Sequence, residues 1–541
     1  MTPVADLRAA VEAAVSALAN GGAPRSRPTL DRPKQAGHGD YATNAALVLA
    51  PVLREKPRDV AERLGGALSE RLGPALDRVE VAGPGFLNLF LADAWYAAAL
   101  DWVLAAGERF GAGAPERPER INIEFVSANP TGPLTAASGR HAAYGDALAR
   151  LLELAGHSVD REYYFNDVGS QVRRLGESIR ARARGEELPE DGYQGDYVYE
   201  LARAIPDAAE ADVDELTRRG VELVMAGIRT TLAAYRVTYD IFFLQRSLVE
   251  GSPSPVERAY QRLSELGHLY RADGALWLRT TTFGDDKDRV LERSTGEPTY
   301  FASDVAYHEE KLERGYDRLI NALGADHHGY VARMKAAMAA LGADPDRLEI
   351  PILQFVHIVE GGERASMSKR RGEFVTLDDL IGEIGVDATR YFMLSRSHDS
   401  TVDLDLDLAR RQSNENPVYY IQYAHARIAS VRRKAGEERV AAALVRDARP
   451  DALHAAERDL VQKLLAFPDE VAEAAERRAP HRIAAYALEL AQVFTAFYRD
   501  CQVVGSTPEA VEDFRLRVCV ATQQTIARSL GLLGVDAPEE M

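Results

Sequence analysis

Five residues, Asn129-Pro130-Thr131-Gly132-Pro133, stand between a β-rich run and a helical one and can belong to neither. Proline lacks the amide donor that a strand or helix interior needs, and glycine carries too much conformational freedom. Before them, Ile121, Ile123, Phe125 and Val126 make a short run with few breakers. After them, from about Thr135, Tyr144, Leu148, Leu151 and Leu152 fall on one helical face, and Gly156 supplies a stop. A second β-rich run, Arg161 to Phe165, follows at once. Strand, tight loop, helix, strand is the opening of a doubly wound α/β domain. Its ligand is expected where the first strand meets the helix N-terminus. Neither GxGxxG nor GxxxxGK[ST] occupies the turn, which removes the main support for a Rossmann dehydrogenase or a P-loop enzyme.

A chain of 541 residues leaves room for about two to four domains. With 46% hydrophobic and 27% charged residues it has the composition of a soluble globular protein. Cys501 and Cys519 offer neither a metal-ligand pair nor a disulfide framework, so no tightly bound metal is expected. Val4, Leu7, Val11, Val15 and Leu18 recur at helical spacing among acidic residues, which describes an amphipathic helix rather than a signal peptide. No uninterrupted apolar run approaches the ~18 residues that span a bilayer, so the expectation is a cytoplasmic protein without a membrane partner. The net charge of −18 argues against non-specific adhesion to nucleic acid, and DNA is not an expected partner. Local basic clusters remain, at Arg427, Arg432, Arg433 and Lys434 and at Arg364, Lys369, Arg370 and Arg371. Each reads equally well as a solvated face.

Three regions follow along the chain. Residues 1–115 read as a small α+β domain, with a helix at Ala45 to Leu53 and a hairpin-like pair between Val79 and Phe90, broken at Gly83-Pro84-Gly85. Gly107 to Pro118 is the linker. Residues 116–405 carry the α/β domain. Helical sequence runs from about 172 to 236, a mixed segment follows, and strands return at Leu319 to Leu323 and Ile352 to Val359. The long intervening stretch reads as an insertion between the two halves of the fold. Residues 406–541 have almost only helical spacing, with long amphipathic runs at 456–475, 480–500 and 507–534.

Several phrases resemble one family. SANPTGPL at the turn, with Gly145-Asp146 on the helix, is similar to the nucleotide-binding turn of class I aminoacyl-tRNA synthetases, most closely the arginyl-tRNA synthetases. GDYATN and VAGPGFLN look like that family's N-terminal domain, which touches the outer corner of tRNA. NPVYYIQYAHAR looks like the start of its helical anticodon-binding domain. The resemblance spans nearly the whole chain. It implies a doubly wound Rossmann-type catalytic domain with an insertion, an α+β N-terminal domain and an all-α C-terminal bundle. It also implies arginine, ATP with Mg2+, and tRNA(Arg) as substrates, attack by the terminal 2′-hydroxyl, and a need for tRNA during activation. A monomer is expected.

The resemblance also assigns candidate residues. A guanidinium is planar and always charged, so its pocket should offer carboxylates. Glu124 and Asp304 are the expected pair, with Asn129 and Tyr300 as polar contacts; alone, Glu124 would read as an edge-strand charge and Asp304 as a helix cap. RASMSKRRGEF at 364–374 resembles the Lys-Met-Ser-Lys signature, with Ser366 in place of the first lysine and Lys369 kept. Lys369, Ser368, Thr135 and Ser138 are expected to act in catalysis, with Met367 and Lys369 on ATP. Further ATP contacts are expected from Pro130, Gly132, Thr135, Ser138, Asp326, His327 and His328, and tRNA contacts from Tyr420, Arg427 and Arg432. The departure is Thr135-Ala136-Ala137-Ser138, where the family has His-X-Gly-His. Thr135 and Ser138 can still donate at a helix N-terminus. His141 could reach the phosphates but reads first as a core or surface histidine. Asn166, Asp167 and Gln171 either shape the same crevice, contact the tRNA 3′ end, or make a turn.

Two rivals stand beside an arginine–tRNA ligase: a tRNA-binding paralogue impaired in activation, and a class I-fold ATP-dependent ligase for a small amine or thiol. Lys369→Ala is expected to slow activation by about 2–3 kcal/mol of barrier while arginine binding stays intact. Single-turnover kinetics beside calorimetry check this, and an unchanged rate removes Lys369 from the mechanism.

Overall fold

Five short strands form one parallel sheet: β1 (Arg120–Glu124), β2 (Ser158–Phe165), β3 (Ile241–Leu244), β4 (Arg318–Asn321) and β5 (Leu348–Glu349). Their order is β3-β2-β1-β4-β5. The order reverses between β1 and β4, and ligand crevices of open α/β sheets lie at such a switch, outside the strand C-termini. The computed structural model describes residues 2–33, 35, 37–364 and 376–541. Ile121, Ile123, Leu319 and Ile320 are fully buried in the sheet. Helix α1 (Ala136–Leu154) is buried on nearly every side because the sheet covers one face and C-terminal helices cover others. Gly145 lets it approach the sheet: a Cβ there would lie 2.1 Å from the Phe125 ring.

The expected doubly wound fold is present, with corrections in detail. β2 begins at Ser158, ahead of the run read from sequence, and β3 was not anticipated. The expected strand 352–359 is two pieces, both outside the main sheet. Ile352–Leu353 pairs with Leu323–Gly324, and Val356–Glu360 pairs in parallel with Val402–Asp405. The helical stretch 172–236 is three helices, Ser170–Arg184, Tyr197–Ala204 and Val213–Ala234, because Gly185, Pro189 and Gly192 interrupt the first connection. This helical stretch is the crossover from β2 to β3. A three-stranded antiparallel sheet (269–272, 275–278, 289–292) separates β3 from helix α2 (Tyr300–Glu313). Helix α3 (Leu377–Leu394) follows the basic signature in sequence.

At the N-terminal end, helices Ala45–Leu53 and Pro57–Leu72 pack on an antiparallel sheet made by 41–43, 86–91 and 76–82, and Pro3–Leu18 packs on those helices. At the other end, α4 (Pro417–Ala435) opens a helical bundle that closes with Glu509–Leu533. The run 456–475 breaks at Ala466, since Pro468 can stand only in the first turn of the next helix. The two ends meet through Asp93–Arg458 and Asp101–Arg449 ion pairs at 2.7 Å. Among the described residues no helix is long and apolar enough to cross a membrane.

Asp146 on α1 and Arg390 on α3 form an ion pair at 2.5 Å with almost no solvent exposure. Arg390 also donates to the carbonyls of Leu533 (2.7 Å) and Tyr235 (2.9 Å). Gly534 follows with φ +67°, and a Cβ there would sit 2.4 Å from the guanidinium. Removing one member of a buried pair leaves an uncompensated charge. Arg390→Met should therefore cost about 3–5 kcal/mol, discounted by the second contact of Asp146 with Arg150 at 2.9 Å. Thermal unfolding checks this, and a midpoint equal to wild type would show that the pair carries no stability.

Candidate active site

The chain leaves β1 through a strained turn. Val126 (φ +66°) and Ser127 (φ +40°) both lie in the left-handed region, which costs of order 1–3 kcal/mol each for residues other than glycine. Hydroxyl groups hold them there. Tyr239 donates to the Phe125 carbonyl (3.1 Å), and Tyr163 both donates to the Ala128 carbonyl (3.0 Å) and accepts from the Ala128 amide (3.1 Å). Ser127 Oγ donates to Glu124 Oε1 (3.0 Å) and accepts from the Tyr164 amide (3.2 Å). Asn129 emerges exposed, with its Nδ2 donating to Gln171 Oε1 at 2.6 Å. This places Asn129 and Gln171 on one rim. Asp167, by contrast, is taken by Arg246 at 2.9 Å and serves the turn.

The two expected acids converge on the switch point, with different partners. Glu124 ends β1 and is 8% exposed; its Oε2 lies 2.7 Å from the ammonium of fully buried Lys311. Asp304, on the first turns of α2, faces the Tyr330 hydroxyl. Among the described residues no Lys or Arg nitrogen comes within 4.0 Å of it. Burial, with the charge of Glu124 added, pushes its carboxyl up to about 6. Tyr300, at the start of α2, is exposed, with its hydroxyl over Gly169. Sequence reading missed Lys311 and the buried acid Glu162, which pairs with Arg314 at 2.9 Å. A signal existed for the first: Asp304, His308 and Lys311 follow i, i+4, i+7 spacing and so share one face of the helix.

The departing signature builds the N-terminus of α1. Thr135 is its N-cap, accepting from the Ser138 amide at 3.3 Å, and the two hydroxyls lie 3.3 Å apart. Its backbone bridges Thr376, the N-cap of α3, and the Leu377 amide donates to the Leu134 carbonyl (2.8 Å). Two helix N-termini therefore lie side by side. Gly139 makes this possible, since a Cβ there would meet Leu377 at 2.7 Å. They border a cavity of about 710 Å³ lined by Asn129, Gly132, Thr135, Ser138, Tyr197 and Asp379. Tyr197 donates to the Thr131 carbonyl (2.8 Å), and a Cβ on Gly132 would press its ring at 3.1 Å. Pro130 is buried beneath the turn.

His141 turns from this cavity to the Ala322 carbonyl at the end of β4, and burial pushes its pKa down to about 4, so it stands neutral. It is half-buried there, and a Cβ on Gly324 would lie 3.9 Å from its Nε2. Asp326, His327 and His328 are exposed on the turn after Leu323–Gly324, with His327 Nδ1 3.0 Å from Asp326. Ser366, Met367, Ser368, Lys369, Arg370 and Arg371 lie outside the described residues. On α4, Tyr419 and Tyr423 stack at 6.3 Å, and Arg427 covers the rings of Tyr423 and Tyr498. Tyr420 donates to Thr495 (2.9 Å). Arg432 is engaged with Gln523 of the last helix, so it does not join Arg427 on that face.

Three family models match this chain: "Arginyl tRNA synthetase N terminal domain" over 5–91, "tRNA synthetases class I (R), catalytic domain" over 196–416, and "DALR anticodon binding domain" over 421–541. An arginine–tRNA ligase of Frankia alni is 48% identical, with the whole of both chains covered. One of Carboxydothermus hydrogenoformans is 44% identical over 95% of this chain and 94% of its own. In fold, the chain is similar to the Thermus thermophilus arginyl-tRNA synthetase structure, with a TM-score of 0.77 and 24% identity over 99% of each chain.

The strained turn generates its own prediction. Tyr163→Phe leaves both polar groups of Ala128 without their partner, an expected loss of about 1–3 kcal/mol. Hydrogen exchange at residues 125–129 should accelerate, and unchanged protection there would show that Tyr163 does not hold the turn.

Proposed function

Since this chain belongs to the arginyl-tRNA synthetases, class I ATP-dependent aminoacyl-tRNA ligases, we propose a division of labour for joining arginine to tRNA(Arg) around the switch-point pocket. The arginine carboxylate attacks the α-phosphate of ATP, pyrophosphate leaves, and the terminal adenosine of tRNA takes the arginyl group from the adenylate. Asp304 and Glu124 receive the guanidinium, while Asn129 and Tyr300 contact the polar ends. What carries this reading is Asp304: a carboxylate with no cationic partner among the described residues, beside a second acid, at the crevice of the sheet. A cationic side chain supplies what it lacks, and a neutral one leaves it unpaired.

ATP lies over Pro130 and Gly132 with its phosphates toward the paired helix N-termini, where Thr135 and Ser138 are the hydroxyl donors. Asp326, His327 and His328 bound the nucleotide on the far side, and Met367, Ser368 and Lys369 contribute ATP contacts and catalysis. Acidic residues of this cavity, such as Asp379, favour phosphates that arrive with Mg2+. A neutral hydroxyl in place of a charge-assisted donor gives up ~1–2 kcal/mol, roughly tenfold in rate per position. Residues 1–115 and 406–541 grip tRNA, with Tyr420 and Arg427 on the anticodon side. The protein works as a cytoplasmic monomer and does not engage DNA. Arginine-dependent ATP–pyrophosphate exchange with tRNA present tests the whole reading. No exchange above background would favour a tRNA-binding paralogue impaired in activation, the rival that the Thr135–Ser138 departure favours.

A pH dependence follows from Asp304. Its pKa is raised on folding, so between the ordinary carboxylate value and about 6 the native state holds the extra proton, and this group's contribution to stability falls as pH rises. Arginine binds the ionised form, so its affinity is full above pH ~6 and drops about tenfold per unit below it. Asp304→Ala should abolish that limb and raise the arginine KM far more than the ATP KM. Equal losses for both substrates would exclude Asp304 from the pocket.

A further inference from the structure

A chain of buried polar groups runs from the Glu124 carboxylate to the backbone carbonyl of Asp304, with only one consistent set of donors. Glu124 and Asn321 are the last residues of β1 and β4, paired in register across the switch point. Lys311 Nζ lies between their side chains, 2.7 Å from Glu124 Oε2, 3.2 Å from Asn321 Oδ1 and 4.3 Å from the Tyr307 ring centre. Asn321 Nδ2 lies 2.8 Å from His308 Nε2, and His308 Nδ1 lies 2.7 Å from the Asp304 carbonyl. A carbonyl can only accept, so Nδ1 carries the imidazole proton. Nε2 must then accept from the Asn321 amide, which leaves Asn321 Oδ1 to accept from the ammonium. Only a neutral His308 fits, and burial beside Lys311 holds its pKa down to about 3.

This network decides the charge of the pocket itself. Glu162 is matched by Arg314, Asp167 by Arg246 and Glu124 by Lys311, all at 2.7 to 2.9 Å. The other titratable and charged groups facing the pair are Tyr164 on β2, Tyr307 on α2, and Tyr330, Arg333 and His327 near the next helix. The tyrosines stay protonated, because burial raises their pKa values. One negative charge, on Asp304, is left without a partner in contact.

We propose that Lys311 is the positioning residue that sets the specificity of the arginine pocket: by neutralising Glu124, and being fixed through Asn321 and His308 to the backbone of α2, it leaves the Asp304 carboxylate as one charge for one guanidinium. Glu124 then serves as a fixed acceptor, held by Lys311 on one oxygen and Ser127 on the other. The inference rests on the arginine reading and goes beyond it, since Lys311 itself need not touch substrate. Without the ammonium, two acids in a desolvated site would share a proton. A protonated carboxyl can donate, and so accommodates a neutral urea that the native pocket rejects.

The experiment compares arginine with citrulline, its neutral isostere, in wild type, Lys311→Met, Lys311→Arg and the double variant Lys311→Met/Glu124→Gln. Binding is followed by calorimetry from pH 5 to 8.5, with thermal unfolding to establish folding. Loss of the nearby cation should move the acid limb of arginine binding in Lys311→Met upward by about one pH unit or more. The preference for arginine over citrulline should fall at least tenfold. Lys311→Arg should keep the limb in place. The double variant restores a single net charge, so its limb should return to the wild-type position even if arginine binds more weakly. If Lys311→Met does not fold, the double variant decides, and a limb displaced upward there overturns the proposal. An unmoved limb in folded Lys311→Met also overturns it, because a merely structural lysine would lower stability alone. Wild type that fails to prefer arginine would sink the arginine reading itself, a different outcome from either.

Discussion

A carboxylate and a guanidinium, Asp146 and Arg390, meet where almost no water reaches. Such a pair is tolerable only when the remaining donors are satisfied, and here the acceptors come from far apart in sequence: the Tyr235 carbonyl after the β2–β3 crossover and the Leu533 carbonyl at the end of the last helix. The pair therefore forms only when α1, α3, the crossover and the bundle are all in place. The geometry links the helix that meets the switch-point crevice to the C-terminal bundle. Packed elements with a buried joint of this kind move together or not at all.

From that fixed frame, the site is assembled by strain held in place. A β-branched residue in the left-handed region at Val126 persists because Tyr163, Tyr239 and Ser127 over-determine it. The turn in turn aims Asn129 at Gln171 and leaves Glu124 at the mouth of the switch point. Preorganised polar groups stabilise a developing charge without reorganising at the moment of reaction, which is the advantage of holding the strain beforehand. The Thr135–Ser138 departure sits inside this logic. Thr135 caps α1 and bridges the start of α3, so its place is filled by a residue suited to a helix N-terminus even though the imidazole donors of the family are absent.

Much of this was legible in the sequence, for reasons of local physics. Proline and glycine at 130–133 mark the turn, apolar spacing marks α1, and the family phrases mark the acids Glu124 and Asp304, because each depends on residues close together in the chain. Helix Ala45–Leu53 was read at its observed bounds. Strand 352–359 was not, since a short apolar run carries no information about which partner it pairs with. β3 was missed for the same reason, as it closes the sheet edge only through β2. Arg432 reads as a surface cation by composition, and its contact with Gln523, ninety-one residues on, is visible only in three dimensions.

The sequence by itself determined the element types, the turn, the acids and the family, because these follow from periodicity, backbone chemistry and motif. Only the tertiary structure decided which charges meet. Lys311 lies on α2 and Glu124 on β1, 187 residues apart, and nothing in either neighbourhood announces the other. A charge in an apolar interior takes its protonation and its role from whichever partner the fold brings within hydrogen-bonding distance, and that partner is a property of packing rather than of the chain read in order.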